Sequence, residues 1–384
     1  MRKLKHAILD FFRHGDLLLL TLCIIASVFG MVVISSATRY SGSHRYVIIQ
    51  GVALGIGILL YVLMTLLDVE ILAEYRQTLA LLNVLFICML LIWGVEGTSG
   101  QRNWLHFPGM PINIQPAELC KITFIIIIAK TMSIHQNRIS SLKSVSSITL
   151  HLFLIVGVIL VISRDAGSAL VFVFIFLVMA YMGGIRGWWF LGGFAAIGAA
   201  MPFAWKYVID DYQKNRILMF FDPSIDPTGE GIRWDTNRSV AMLSGGGVTG
   251  QGLYRGSMVQ SHSIAAQHTD FIFSSIGEEL GLIGCIFVLL LLAAIVVRCI
   301  YVGTHTTNYM NRLICFGVAA MLAFQIFVNV GMCIGVFPVI GLTLPFISYG
   351  GSSMITLFLA VGLVSGIHMR PDPDASSYYV QYHG

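Results

Sequence analysis

Four groups of polar residues interrupt or border long apolar runs in this 384-residue chain. Ionisable groups in such places are candidates for chemistry by default. The first is Gln115-Pro116-Ala117-Glu118-Leu119-Cys120-Lys121. A helix puts Glu118 and Lys121 on one face, where they can pair, and Pro116 suits a first helical turn. The pair either eases insertion of the helix or faces a cavity, where lysine would meet a phosphate as a compact cation. The second group, Arg164-Asp165, separates two apolar runs and is either a solvated turn or a carboxylate on a cavity rim. The third is His268-Thr269-Asp270-Phe271, followed by Gly277-Glu278-Glu279-Leu280-Gly281. Asp270 stands at an apolar–polar boundary, where partial desolvation suits a carboxylate to general-base work. The alternative is an acid placed to satisfy a helix N-terminus. Glu278 and Glu279 lie deeper and either pair with a cation or serve structure. The fourth, Val336 to Ser353, holds Pro338, Pro345 and several glycines, which rule out one regular helix. Irregular backbone at membrane depth must be buried in protein or line a wet cavity.

The elements that must position these groups follow from composition. The chain is 57% hydrophobic and 11% charged, with a mean hydropathy of +0.82. Soluble chains carry about 25% charge, so this is an integral membrane protein. Disorder and disulfide scaffolds are excluded by the same figures. The net charge of +4 gives no reason to propose nucleic acid as a partner. The seven cysteines lie in or beside apolar runs without a CxxC pair, and read as small buried hydrophobes. No cleavable signal peptide is evident, so the first apolar run reads as a span.

A crossing helix needs about 20 apolar residues. Spans are expected near 16–37, 46–67, 77–95, 115–133, 148–163, 166–183, 187–206, 273–298, 313–335 and 350–368. The fifth and sixth are either two short spans joined by a tight turn or one bent element. The basic residues test the count. With the N-terminus inside, twelve fall on the inner side (Arg2, Lys3, Lys5, Arg13, Arg76, Lys130, Arg138, Lys143, Arg186, Arg298, Arg312, Arg370) and four in short outer loops (Arg39, Arg45, Arg102, Arg164). The expected fold is therefore all-α, about ten transmembrane helices in a single polytopic domain over 1–384, both termini cytoplasmic. One large extracytoplasmic loop, 207–272, joins spans seven and eight. It is mixed in charge, carries apolar stretches and is expected to fold back on the membrane.

Taken together, these motifs resemble the SEDS family (shape, elongation, division and sporulation). Asn329, Gly335, Pro338, Gly341, Leu342 and Ser348-Tyr349-Gly350-Gly351-Ser352-Ser353 fall at the spacing of its signature. Further matches are Gln115 to Lys121, Arg216 near Asp222-Pro223, Ser244-Gly245-Gly246 with Gly250-Gln251-Gly252-Leu253, and the stretches around Asp270 and Glu278. They cover nearly the whole chain in order. Gln267 to Ser274 and the tail from Gly362 to Arg370 look like the elongation, RodA-like branch. The chain departs from the family in Arg164 where proline is usual, in Trp234 to Ser239, and in Asn103.

The resemblance implies a peptidoglycan glycosyltransferase of the bacterial cytoplasmic membrane, its active site facing outside. Its substrate would be lipid II, its partner a class B penicillin-binding protein, and its surroundings membrane lipids. Asp270 matches the family's essential aspartate and is assigned as general base. Lys121 is the first candidate to hold the pyrophosphate, with Arg216 and Arg102 behind it. Glu118 would orient Lys121, and Asp165 and Glu278 would stand on the rim. No metal ligands are predicted; a divalent cation (Mg2+ or Mn2+) could screen the pyrophosphate, though no carboxylate cluster marks its place. A lipid II flippase, a division or sporulation paralogue, and a scaffold for the transpeptidase are the alternatives.

Overall fold

The computed structural model describes residues 10–96, 102–106, 113–207, 214, 215, 218, 226, 231 and 233–370. Its helices are α1 (Leu17–Ala37), α2 (Arg45–Leu66), α3 (Val69–Glu74), α4 (Arg76–Cys88), α5 (Leu90–Trp93), α6 (Pro116–Ile134) and α7 (Leu142–Val158). After these come α8 (Ala166–Met182), α9 (Gly187–Tyr207), α10 (Trp234–Gly246), α11 (Ser257–Gln260), α12 (Ile272–Thr304), α13 (Tyr309–Cys333) and α14 (Gly351–Met369).

Each of the ten expected spans falls on helix. Among the described residues, seven stretches are long and apolar enough to cross a membrane, and α8 and α9 are shorter apolar helices. The remaining expected span, α6, is a 19-residue helix that carries Glu118, Lys121 and Lys130. The chain is an all-α integral membrane protein with one addition. A hairpin of β1 (Gly94–Glu96) and β2 (Arg102–Leu105) pairs antiparallel, Val95 opposite Trp104.

Between the fifth and sixth spans, α7 ends in a π turn over Ile159–Ser163, and Arg164 adopts a left-handed conformation (φ 54°). Asp165 then caps α8 by accepting from the Ser168 amide. These are two helices joined by a tight turn.

Spans α6, α13 and α14 are mostly buried, while α2 and α4 present most of their surface outward. Small residues let α14 lie close on α2: a Cβ on Gly362 would meet the Tyr61 carbonyl at 2.9 Å. At the end of the bundle where α1 begins and α14 ends, Asp16 caps α1, pairs with Arg298 at 2.8 Å, and takes the Tyr61 hydroxyl on its carbonyl. All seven cysteines are free, and all except Cys88 are fully buried.

Helix α12 is broken. Gly281 sits at φ 68°, ψ −164°, a conformation only glycine adopts readily. The loop before α12 fills the break. The amides of Gln251 and Gly252 donate to the carbonyls of Glu278 and Glu279, and those of Leu282 and Ile283 donate to Gly247 and Val248. Backbone groups orphaned by the break are thus satisfied by protein. The described end of the long loop, from 233 on, packs on α12 through α10, α11 and this backbone plug.

Candidate active site

A cavity of about 930 Å³ opens at the end of the bundle where α1 ends and α14 begins. Its walls are the first turns of several helices. Arg45 and Tyr46 come from α2, Glu118 from α6, Ser168 from α8, Asp235 from α10, and Gly351 from α14; Asp270 and Phe271 immediately precede α12. Helix N-termini carry partial positive charge and exposed amides, so their convergence favours an anionic ligand. The hairpin contributes Asn103 and Trp104, and the irregular segment after α13 contributes Val339 to Thr343.

Asp270 is the expected residue that the structure places squarely in this cavity. Three consecutive carbonyls hold its backbone. His268 accepts from the Tyr349 amide (2.9 Å), Thr269 from the Ser348 hydroxyl (2.6 Å), and Asp270 itself from Asn329 Nδ2 (2.8 Å). The second hydrogen of Asn329 Nδ2 goes to Leu342 (2.7 Å). Gln50, buried in α2, donates to Ser348 and accepts from the Gly350 amide, both at 3.1 Å. Gly341, with φ 78°, carries backbone past the carboxylate: its Cβ position would lie 3.7 Å from Asp270 Oδ2. The irregular segment thus serves as the clamp on Asp270.

The other expected residues divide. Glu118 lines the cavity, and Lys121 stands behind it, wholly buried, with Nζ 2.7 Å from Glu118 Oε1. Lys121 is not among the lining residues, so its charge reaches the cavity through Glu118. Asp165 is buried against Ser168, accepting from its amide (2.9 Å) and hydroxyl (2.7 Å), and Ser168 is the residue that lines. Glu278 turns away from the cavity. Its carboxylate caps α11, accepting from the amides of Met258 and Val259 at 2.8 Å, because α11 packs on that face of α12. Arg102 is exposed on β2 and is not a lining residue, although Asn103 and Trp104 beside it are. Arg216 lies outside the described residues.

The lining residues to which the sequence assigned no role include Arg45, Gln115, Asp235 and Gln325. Arg45 had counted only toward topology, yet among the described lining residues it is the permanent cation. Tyr46 beside it stacks edge-on against His268 (5.0 Å) and Tyr349 (5.1 Å). Burial, with His262 nearby, pushes the His268 imidazole down to about 4, so it is neutral near pH 7. The lining carboxylates Glu118, Asp235 and Asp270 do not gather into a metal-binding set. Among the described residues no three His, Cys, Asp or Glu side chains do.

Comparison with known proteins adds to this geometry. The model of the FtsW, RodA and SpoVE family, described as cell cycle protein, matches residues 16–372. A "Probable peptidoglycan glycosyltransferase FtsW" of Geobacter metallireducens is 32% identical over 363 residues, 92% of this chain and 95% of that protein. The peptidoglycan glycosyltransferase MrdB of Escherichia coli is 31% identical over 288 residues, 73% of this chain and 76% of its own length. Among solved structures, a chain of a peptidoglycan synthase complex that coordinates polymerization and crosslinking superposes with a TM-score of 0.76. It is 31% identical, with coverage of 92% and 97%. The rod shape determining protein RodA of Thermus thermophilus gives 0.69 at 28% identity, covering 94% of this chain and 98% of that one.

Proposed function

The chain belongs to the FtsW, RodA and SpoVE family of peptidoglycan glycosyltransferases, and on that premise we propose that it polymerises lipid II at the outer face of the cytoplasmic membrane, with Asp270 as general base. The observation that carries this reading is Asp270, its backbone clamped through its carbonyl, lining a cavity walled by helix N-termini.

An acceptor sugar hydroxyl attacks the anomeric carbon of the donor. Asp270 takes the hydroxyl proton as the new C–O bond forms, and the bond to the lipid-linked pyrophosphate breaks. Negative charge builds on the leaving pyrophosphate, where Arg45 and the converging helix N-termini meet it. Lys121 acts as a positioning residue that fixes Glu118 in the wall.

The excess of basic residues on the side of the termini supports placing the cavity outside. A partner of the class B penicillin-binding type is supported by likeness to a chain from a synthase complex. An elongation role is supported by the Gln267 to Ser274 stretch and by likeness to RodA. Complementation of cells depleted of their rod-shape or their division polymerase separates the two branches.

Chemistry is favoured over transport because the packing between α6, α8 and α13 is apolar. Ile122, Ile125 and Ile126 of α6, Phe172 of α8, and Val318 and Met321 of α13 are all buried. The test is polymerisation of lipid II by purified protein, with its partner, under a moenomycin block on contaminating polymerases. Asp270→Ala should abolish polymer, and unchanged polymer would sink the assignment.

A further inference from the structure

Gln325 is a polar side chain of the cavity lining that the mechanism above leaves unused. It lies on α13 one helical turn, about 5.4 Å, deeper than Asn329. It lines the cavity floor and is 1% exposed. Its Oε1 is buried without a hydrogen-bond partner among the described residues. The neighbouring donor, Asn329 Nδ2, is committed to the carbonyls of Asp270 and Leu342. Buried amide oxygens are rarely left unpaired in native proteins, and one on a residue that lines a cavity points to a ligand that donates.

The chemistry narrows the donor. A pyrophosphate oxygen offers no proton near neutral pH, so the leaving group does not satisfy Oε1. A carboxamide presents an acceptor and a donor side by side. A 2-acetamido sugar presents the complement on adjacent carbons: the N–H at C2 donates, and the oxygen at C3 accepts whether it is a hydroxyl or an ether. Val339, Ile340 and Leu342 line the same cavity and offer an apolar wall to the acetyl methyl.

We propose that Gln325 reads the 2-acetamido group of a substrate sugar, Oε1 accepting from the amide N–H and Nε2 donating to the neighbouring O3. Gln325 then makes the cavity specific for N-acetylated hexosamines. The inference rests on the polymerase reading and adds a specificity determinant to it.

The test uses two synthetic analogues of lipid II, each with a 2-acetoxy group in place of one 2-acetamido group. The ester keeps the shape and the methyl but lacks the N–H. The full-length protein with its partner should use one analogue with kcat/KM roughly tenfold or more below natural lipid II. Gln325→Leu should use the two lipids at similar, low rates. Gln325→Glu keeps an acceptor, so it should retain the discrimination while losing the donor to O3. Equal use of amide and esters by the wild type, or undiminished discrimination by Gln325→Leu, overturns the proposal. Should Gln325→Leu fail to fold, as judged by thermal unfolding in detergent, the wild type and Gln325→Glu still decide. Binding of the same lipids, read by fluorescence without turnover, gives the same contrast. A wild type that binds lipid II selectively but makes no polymer sinks the polymerase reading and leaves Gln325 standing.

Discussion

Asn329 Nδ2 donates at once to the carbonyl of Asp270 (2.8 Å) and to that of Leu342 (2.7 Å). One buried amide therefore locks the proposed base to the segment that walls the cavity. Asn329→Leu removes both bonds, costing the Leu342 carbonyl its side-chain donor and leaving the Asp270 carbonyl with the Cys333 thiol at 3.7 Å. Displacements of about an ångström can lower turnover on the order of a hundredfold. The expected result is a large fall in kcat with a small change in KM, measured on protein that still unfolds cooperatively.

The Glu118–Lys121 pair sets up a second test. Removing one partner of a buried pair costs roughly 3–5 kcal/mol, whereas replacing both with apolar isosteres is often neutral. Lys121→Met should lower the melting temperature sharply, because Glu118 keeps a charge with no counterion beside it. Glu118→Leu with Lys121→Met should recover most of that stability and remain impaired in polymerisation. Recovery of both would reduce the pair to a packing device.

Arg45 is predicted to hold pyrophosphate. Arg45→Gln should raise KM for lipid II about tenfold or more, since charge-assisted bonds contribute roughly 1.5–3 kcal/mol. Arg102→Gln, at an exposed position off the cavity, should change KM little. The two titrations, run side by side, check this.

His268 carries a pH signature. Burial holds its folded pKa near 4, below the ordinary 6.5. The unfolded chain binds the proton more readily, so the contribution is fully present above pH 6.5. It is lost progressively as pH falls through 6.5 toward 4. Melting temperature should drop across that window, and His268→Gln should flatten the drop.

Gly281 makes a structural prediction. A Cβ there would strike the Gly250 amide and the Val248 carbonyl, and the backbone conformation is strained for any other residue. Gly281→Ala should release the plug between α10 and α11. Limited proteolysis should then cut near 247–256, where the wild type resists.

How much of this was legible in the sequence differs from residue to residue. The spans were, because lipid forces every backbone group to pair within a helix, and only long apolar runs can comply. Asp270 was legible as a carboxylate at the edge of such a run, as Glu118 and Asp165 were, and its role as base came from the family resemblance. The Val336 to Ser353 segment was legible as irregular, because proline and glycine act locally, yet nothing local tells that its backbone clamps 268–270.

What tertiary structure decided are the facings. Glu118 and Lys121 share a helix face, yet one lines the cavity and the other stands behind it, which depends on where α13 and α8 pack. Glu278 turns to α11 because the loop folds onto α12 there. Arg45 and Gln325, 280 positions apart, meet only when α2 and α13 converge on one cavity. Hydrophobic patterning determines which segments enter the membrane. It leaves undetermined which flank of each helix meets which neighbour, because that follows from side-chain packing between segments distant in the chain.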